Sequence, residues 1–232
     1  MRLAINQPYF LPYIGYFQLI AAADEFIVYD NIEHTKKGWI NRNRFLRNGE
    51  AATFTLPLKA ASDYLDIRQR ELAADFSAQK LLNQFHGAYH WAPCFHEVMP
   101  LIAEILSYPD RNLFGFLLHS LRRVCNYLEI HTPILISSTI PIDHQLRAES
   151  KVLAFCEARR ADSYVNAIGG TELYRRENFA ARHVTLNFLK SQPTPYKQFG
   201  DAFVPWLSIL DVMMFNPAMD IRSRILPQYE LV

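Results

Sequence analysis

The chain has 232 residues, half of them hydrophobic and one-fifth charged, a composition typical of a globular protein rather than a disordered one. Its formal net charge is only +1 and its basic and acidic residues are interspersed, which does not favour nucleic acid as a partner. The sequence lacks the run of about 18 apolar residues that a membrane span needs, and Gln7, Pro8 and Pro12 interrupt the apolar N-terminus. We expect a cytoplasmic protein without membrane insertion, folded as a single domain over residues 1–232.

The first thirty residues predict a strand, a helix and a second strand. Residues 2–6 read as a short strand that ends before Pro8, because proline lacks a backbone N–H and restricts the residue before it. Apolar residues from Ile14 to Ala21 follow a helical period. Residues 25–30 (EFIVYD) form an almost continuous apolar run, which suits a strand buried on both faces. This order is the βαβ unit of a parallel sheet.

The rest of the chain predicts a hairpin, a group of helices and then further strands. Asn48-Gly49 between two strand-like segments is a strong hairpin signal, and residues from about 75 to 130 have a helical pattern that we interpret as an insertion. Further elements are predicted as strands at 133–138, 162–167 and 183–189, a helix at 148–160, and a last helix beginning near Pro205. The predicted fold class is α/β: a mainly parallel, Rossmann-like sheet flanked by helices, with a β-hairpin and a helical insertion.

Polar residues gather where the predicted parallel strands end. Asn6 and Gln7 follow the first strand, Asp30 ends the second, and Gly169-Gly170 follows the strand at 162–167. Open α/β sheets bind ligands outside the carboxyl ends of their strands, so this edge is the predicted site. Ordinary turns need the same residue types, which leaves a purely structural role open for each loop.

Two loops carry more polar groups than a turn requires. In residues 34–44 (HTKKGWINRNR), Lys37, Asn41, Arg42 and Arg44 offer enough donors to hold a phosphate or a carboxylate, although a solvated basic loop has the same composition. Gly169-Gly170 lies between a strand and a predicted helix, where backbone N–H groups could hold an anion. The glycine patterns of known nucleotide-binding loops are missing.

The sequence does not favour a metal site or a familiar hydrolase. His86 and His90 are four residues apart and Cys94 and His96 follow, but no HExxH pattern accompanies them and Pro93 interrupts the helix. A GxSxG elbow and a CxxC pair are also missing from the sequence, so neither hydrolytic nor redox chemistry has positive support.

The order of motifs resembles the WbqC-like protein family. The motifs are QPYFLPYIGYF (7–17), DEFIVYDNI (24–32), KKGWINRNRF (36–45), YVNAIGGTELY (164–174) and FVPWLSILDVMMFN (203–216). The resemblance runs from residue 3 to about 216 and implies a role in bacterial surface-glycan loci, such as lipopolysaccharide O-antigen or capsule biosynthesis. It also implies an enzyme that acts on activated small molecules. Many family members have His where this chain has Asn6, so any acid or base role of that His would be changed or lost here.

A looser similarity is to the nucleotidyltransferase-like HUP fold group, in which a HxGH signature at the start of the first helix binds ATP phosphates. The corresponding residues here are Tyr13-Ile14-Gly15-Tyr16, without either His. The similarity implies that ATP or a nucleotide-linked substrate could bind at this place with altered chemistry. It is an analogy of fold, and fold does not fix function.

Two functional hypotheses follow. In the first, the protein is a group-transfer or amide-forming enzyme that uses an acyl, aminoacyl or nucleotide-activated donor. Its candidate catalytic residues are Gln7, Asp30 and Asp211. Asp30 or Asp211 could act as a base or as an orienting group, and Asp211 could equally be structural. Its candidate substrate-binding residues are Asn6, Gly15, Tyr16, Lys37, Asn41, Arg42, Arg44, Gly169 and Gly170. In the second hypothesis, the protein binds a small molecule in the same pathway without turnover, in a pocket lined by its aromatic residues.

Overall fold

A six-stranded sheet forms the centre of the computed structural model, which describes residues 1–36, 38–200 and 202–232. The strands of the sheet, in chain order, are β1 (Arg2–Asn6), β2 (Glu25–Val28), β5 (Ile134–Ile136), β6 (Ser163–Ala167), β7 (Thr185–Ser191) and β8 (Tyr229–Leu231). A separate antiparallel hairpin consists of β3 (Arg42–Arg47) and β4 (Glu50–Thr55). In the sheet, β8 is antiparallel to β7 and the other neighbours are parallel. The predicted fold class is confirmed.

The order of strands across the sheet is β5-β2-β1-β6-β7-β8. With the hairpin set aside, this is the 3-2-1-4-5-6 order of doubly wound nucleotide-binding folds. The direction of winding reverses between β1 and β6, which pair through Arg2 with Ser163 and Leu3 with Tyr164. In such sheets the crevice for a ligand opens at this reversal, outside the carboxyl ends of the strands.

Helices cover the sheet on both faces. They are α1 (Ile14–Ala21), α2 (Ala78–Tyr89), α3 (Phe95–Leu106), α4 (Leu113–Tyr127), α5 (Ala148–Ala158), α6 (Arg176–Ala180), α7 (Ile209–Phe215) and α8 (Ala218–Asp220), which continues into a π-helical turn at Ile221–Ile225. Short 3₁₀ turns lie at Ile67–Gln69, Ser137–Thr139 and Ile168–Leu173. Among the described residues, no helix is both long and apolar enough to cross a membrane.

The core has two parts because successive strand residues point to opposite faces. In β1, Leu3 and Ile5 pack in one cluster with residues of α5 and α6, whereas Ala4 packs in the other with residues of α1 to α4 and α7. Leu3, Ala4 and Ile5 are all buried, as expected for a strand with helices on both faces.

Beyond shifts of one to three residues at strand and helix ends, three features differ from the sequence prediction. The last long helix begins at Ile209 rather than near Pro205, because Trp206 has a left-handed backbone (φ 60°) and Ser208 caps the helix by accepting a hydrogen bond from the N–H of Leu210. Gly169-Gly170 lies inside a 3₁₀ turn, and the next α-helix begins later, at Arg176. The edge strand β8 was not predicted.

Candidate functional site

A cleft of about 1150 Å³ opens at the carboxyl ends of the parallel strands. Asn6 and Gln7 reach it from the end of β1, Asn31 from the chain after β2, and Asn166 from the end of β6. The cleft therefore lies beside the reversal of strand order between β1 and β6, where this class of sheet binds ligands.

Six of the residues predicted from the sequence line this cleft. They are Asn6, Gln7, Gly15, Tyr16, Gly169 and Gly170. Tyr16 is 2% exposed and its hydroxyl donates a 2.7 Å hydrogen bond to the backbone carbonyl of Gln7. The Oδ1 atom of Asn6 accepts a 2.8 Å bond from the N–H of Gln7. These two bonds fix the backbone of Gln7 where the chain leaves β1.

The three glycines of the cleft meet different surroundings. A Cβ atom at Gly15 would lie 2.4 Å from the ring of Tyr13, and one at Gly170 would lie 3.0 Å from the amide of Asn166. A Cβ atom at Gly169 would meet nothing within 4 Å among the described residues. Gly15 and Gly170 are therefore required by neighbouring side chains, whereas Gly169 leaves open space beside the cleft.

Asp30 anchors the ends of β2 and β5 and does not line the cleft. It is 4% exposed, and its carboxylate accepts hydrogen bonds from the Ser137 hydroxyl (2.8 Å), the Ser138 N–H (2.9 Å) and the Ser138 hydroxyl (2.6 Å). Arg68 Nη1 lies 3.9 Å from Oδ2 of the Asp30 carboxylate. The carboxylate therefore orients the 3₁₀ turn at Ser137–Thr139, one of the two roles that the sequence left open for it.

Of the described residues of the basic loop at 34–44, Trp39 lines the cleft, whereas Asn41, Arg42 and Arg44 do not. The Oδ1 atom of Asn41 accepts in a 3.2 Å contact with Nε2 of His34, and its Nδ2 donates a 2.8 Å bond to the carbonyl of Leu56. Burial lowers the pKa of His34. Arg42 donates to the carbonyl of Gly38 at 2.9 Å. Lys37 lies outside the described residues.

Arg44 belongs to a second, smaller cavity next to the cleft. Its guanidinium lies 5.4 Å from the centre of the Trp39 ring and donates a 3.1 Å hydrogen bond to the carbonyl of Trp206. Tyr9, Tyr13 and Trp39 line both cavities. The predicted loop therefore supplies one cation to a site with aromatic walls rather than to the cleft itself.

Asp211 lies in a buried hydrogen-bond network and not in the cleft lining. It is fully buried and accepts hydrogen bonds from Tyr89 (2.9 Å), Tyr196 (2.6 Å) and the amide of Gln198 (2.7 Å). The Tyr89 hydroxyl also accepts a 2.8 Å bond from the N–H of Leu46. Burial raises the pKa of Asp211. The network ties α7 to α2 and to the hairpin, which is a structural role.

His144 and Lys151, which line the cleft, were missed by the sequence reading. Asn31 Nδ2 lies 2.9 Å from Nδ1 of His144, and the backbone carbonyl of Asn31 accepts a 3.5 Å bond from Lys151 Nζ. The Oδ1 atom of Asn31 lies 2.6 Å from the Ser137 hydroxyl, whose single proton it shares with Oδ1 of Asp30. An imidazole and a primary amine thus meet at Asn31, and both line the cleft.

Lys151 is unusual for a lysine because only 7% of its surface is exposed. Its ammonium group lies 5.7 Å from the ring centre of Tyr29. Burial lowers the pKa of Lys151, an effect that Asp66 and Asp30 partly offset. The residue lies in the first turn of α5, whose N-terminal end adds positive potential at the cleft.

The charges along the cleft are mixed. Arg68, Arg147 and Lys151 line it together with Glu33 and Asp66. Arg68 lies 3.6 Å from Asp66, so much of its charge is balanced. Arg147 directly precedes α5 and Lys151 lies in its first turn. These two cations are the best placed for a ligand's negative charge.

The histidines of α2 form an aromatic group away from the cleft. The His86 and His90 rings stack at 5.7 Å with an angle of 4° between them, and Trp91 lies 4.7 Å from His90. In residues 1–36, 38–200 and 202–232, no group of three or more His, Cys, Asp or Glu side chains is arranged to hold a metal ion.

Comparison with known proteins identifies the family. Residues 7–223 match the WbqC-like protein family. The chain belongs to this family. It is 28% identical over 220 residues to the uncharacterized protein Rv1507c of Mycobacterium tuberculosis, a similarity that covers 93% of both chains. No solved structure matches the chain. Membership in the WbqC-like family therefore confirms the resemblance seen in the motifs, and the chemistry must be argued from the cleft.

Proposed function

We propose that this WbqC-like protein is an enzyme that transfers a group, or forms an amide, from an activated small molecule bound in the cleft. The donor would be an acyl, aminoacyl or nucleotide-linked compound with a negatively charged phosphate. The pathway would be the assembly of bacterial surface polysaccharide or a related natural product. The observation that carries the proposal is the meeting of His144 and Lys151 at Asn31 inside the cleft.

Lys151 supports an anionic ligand. Burying an ammonium group is costly unless it is well paired, and the hydrogen bond of Lys151 in the described structure is a long one, 3.5 Å, to a neutral carbonyl. An ammonium group has three N–H donors, so most of its capacity is unused by Asn31. A phosphate beside it would also be close to the N-terminus of the 11-residue helix α5.

His144 supports stabilisation of negative charge during the reaction. The Asn31 amide is oriented with Oδ1 towards the Ser137 hydroxyl and Nδ2 towards His144, and because Nδ2 can only donate, Nδ1 of His144 is assigned as the acceptor. The neutral imidazole then carries its proton on Nε2. A preorganised N–H of this kind can donate to an oxygen on which negative charge develops.

The remaining cleft residues take supporting roles in the proposal. Gln7 and Asn6 offer amide groups at the end of β1, and Gly169 leaves open space in which a ligand could approach the backbone, while Gly15 and Gly170 line the cleft beside it. Asp30 acts as a positioning residue, because it holds Ser137 and Ser137 in turn holds Asn31. ATP or a nucleotide-linked substrate fits the location, since the cleft occupies the place where doubly wound sheets bind nucleotides.

The experiment that tests the proposal is a donor panel with mass detection. Purified protein is incubated with magnesium ATP, nucleotide-linked amino sugars, and acyl and aminoacyl donors, and products are identified by mass. The Lys151→Met variant should lose turnover, whereas Lys80→Met, which removes an exposed lysine of α2, should retain it. Equal turnover in the two variants would place the site elsewhere.

A non-catalytic binding protein is the second candidate. It is favoured by the fact that Asp30, Tyr16 and Asn41 are committed to hydrogen bonds that hold the fold. In the same panel this candidate predicts that ligands raise the melting temperature while no product forms with any donor. That result would reject the enzyme proposal.

A further inference from the structure

The second cavity forms a compartment of about 280 Å³ that adjoins the cleft. We call it the aromatic compartment and define it by Tyr9, Pro12, Tyr13, Trp39, Arg44 and Trp206. Its position beside the cleft means that a ligand in it would lie next to a molecule bound in the cleft, since Tyr9, Tyr13 and Trp39 border both.

The walls of the compartment are large aromatic rings that the fold leaves accessible. Trp39 is 42% exposed and Trp206 is 44% exposed, although the indole is among the side chains that gain most from burial. The Tyr13 and Trp206 rings pack edge to face at 6.1 Å. Trp206 is presented from a left-handed backbone conformation (φ 60°). Accessible rings that converge on a concave surface are typical of a ligand site.

Arg44 provides the compartment with an anion-binding group. A guanidinium has five N–H donors, and the bond that Arg44 makes in the described structure is Nη2 to the carbonyl of Trp206. Its Nε has no hydrogen-bond partner among the described residues. The compartment's described lining contains no acidic side chain that would neutralise it. A planar carboxylate matches the fork of donors that arginine presents.

Asn43, the other non-aromatic polar side chain of the compartment, is already committed. Asn43 donates to the carbonyls of Phe10 (3.3 Å) and Leu11 (2.9 Å), and its Oδ1 accepts from the N–H of Arg44 (2.9 Å). A sugar ring brings several hydroxyls, each of which needs a partner when it is buried. The compartment therefore fits a ligand with an apolar body and one anionic group better than it fits a sugar.

We propose that the aromatic compartment binds an apolar carboxylic acid, with its hydrocarbon body against Trp39, Tyr13 and Trp206 and its carboxylate on Arg44. The inference rests on the proposed function and deepens it, because it names the class of compound that would bind beside a phosphate-bearing molecule in the cleft. It concerns binding and can hold whether or not turnover occurs.

Tryptophan fluorescence tests the proposal directly. The chain has three tryptophans, and Trp91 is 80% exposed and lines neither the cleft nor the compartment. A Trp91→Phe protein therefore keeps the two indoles of the compartment as its reporters. The probes are 3-phenylpropionate, the matched neutral 3-phenylpropionamide, glucose and adenosine. We expect saturable binding of the acid, with an affinity roughly tenfold or more above that of the amide, as for a charge-assisted hydrogen bond.

Variants assign the difference to Arg44. In Arg44→Gln the acid should bind no better than the amide, whereas Arg47→Gln, an exposed arginine of the same strand, should keep the preference. Equal binding of acid and amide to the Trp91→Phe protein would overturn the proposal, and so would binding of glucose or adenosine that is tighter than binding of the acid. Neither result depends on whether the Arg44 variant folds. Lys151→Met should leave acid binding intact, so failure of the cleft proposal and failure of this one are distinguishable.

Discussion

The side-chain amide of Asn31 lies 2.9 Å from Nδ1 of His144, so a residue just beyond β2 fixes an imidazole that is 113 positions later in the chain. In the structure the amide of Asn31 turns Oδ1 towards the Ser137 hydroxyl and Nδ2 towards the imidazole, and this orientation assigns the proton of the imidazole to Nε2.

This relationship predicts the effect of Asn31→Asp. A carboxylate can only accept, so it would draw the imidazole proton from Nε2 to Nδ1. Nitrogen NMR of the His144 ring should show the change of protonated nitrogen, and turnover with the active donor should fall by at least about tenfold, the cost of one misplaced hydrogen bond. His131→Asn, an exposed histidine, serves as the control. An unchanged ring spectrum in Asn31→Asp would disprove the assigned proton position.

A second prediction concerns the pH dependence of anion binding. Burial lowers the pKa of Lys151, so its positive charge is lost at a lower pH than that of an ordinary lysine. The affinity for pyrophosphate should therefore fall as the pH rises through the lowered pKa, with a total loss of roughly ten- to hundredfold for one charged hydrogen bond. Lys151→Arg should keep its affinity through the same range, since arginine stays protonated. Identical titration calorimetry curves for the two proteins would show that Lys151 does not contact the anion.

The cleft glycines give a matched pair of substitutions. Gly169→Ala places its methyl group in open space and should leave the melting temperature unchanged, while a ligand that rests on this backbone should bind more weakly. Gly15→Ala pushes on the Tyr13 ring and should destabilise the fold by about 1 to 3 kcal/mol in urea unfolding. If Gly169→Ala binds the donor as tightly as wild type does, the ligand does not reach the 3₁₀ turn at Ile168–Leu173.

Asp211 gives a prediction about stability. Asp211→Ala leaves Tyr89, Tyr196 and Gln198 without their acceptor and should cost about 3 kcal/mol or more of unfolding free energy, against little change for the exposed control Asp75→Ala.

The same residue adds a pH dependence with a definite sign. Because burial raises the pKa of Asp211, the folded protein holds this proton more tightly than the unfolded chain does. The free energy of unfolding of the wild-type protein should therefore fall as the pH rises from the ordinary pKa of aspartate through the raised pKa of Asp211. The Asp211→Ala variant should not show this fall. Urea unfolding at several pH values measures both slopes, and parallel slopes would contradict the prediction.

Local patterns account for the parts of the fold that were predicted from the sequence. Pro8 ends β1, the apolar run at 25–30 contains β2, and Asn48-Gly49 forms the turn of the hairpin, because each depends on neighbouring residues. The edge strand β8 was missed because it is three residues long and forms only by pairing with β7, about forty positions earlier in the chain. The start of α7 was misplaced because Trp206 adopts a conformation that sequence patterns rarely reveal.

The sequence predicted the position of the cleft, but not all of the polar residues that line it. Strand ends located the cleft, since Asn6, Gln7 and Gly169 all line it. Asp30 was expected to be a base or an orienter, and its acceptors are filled by serines 107 and 108 positions away, which no local pattern shows. One sequence pattern could have identified Lys151: it precedes the buried Phe155 by four residues and so shares its helix face. His144 lies in an irregular segment, where no such pattern points to it.

The walls shared by the cleft and the aromatic compartment link the two ligands thermodynamically. Tyr9, Tyr13 and Trp39 border both cavities, so a molecule that orders these rings on one side also prepares the surface on the other. If the phosphate-bearing donor raises the affinity for the acid by some factor, the acid must raise the affinity for the donor by the same factor. The two substrates would then load cooperatively, without any movement of the sheet that carries them.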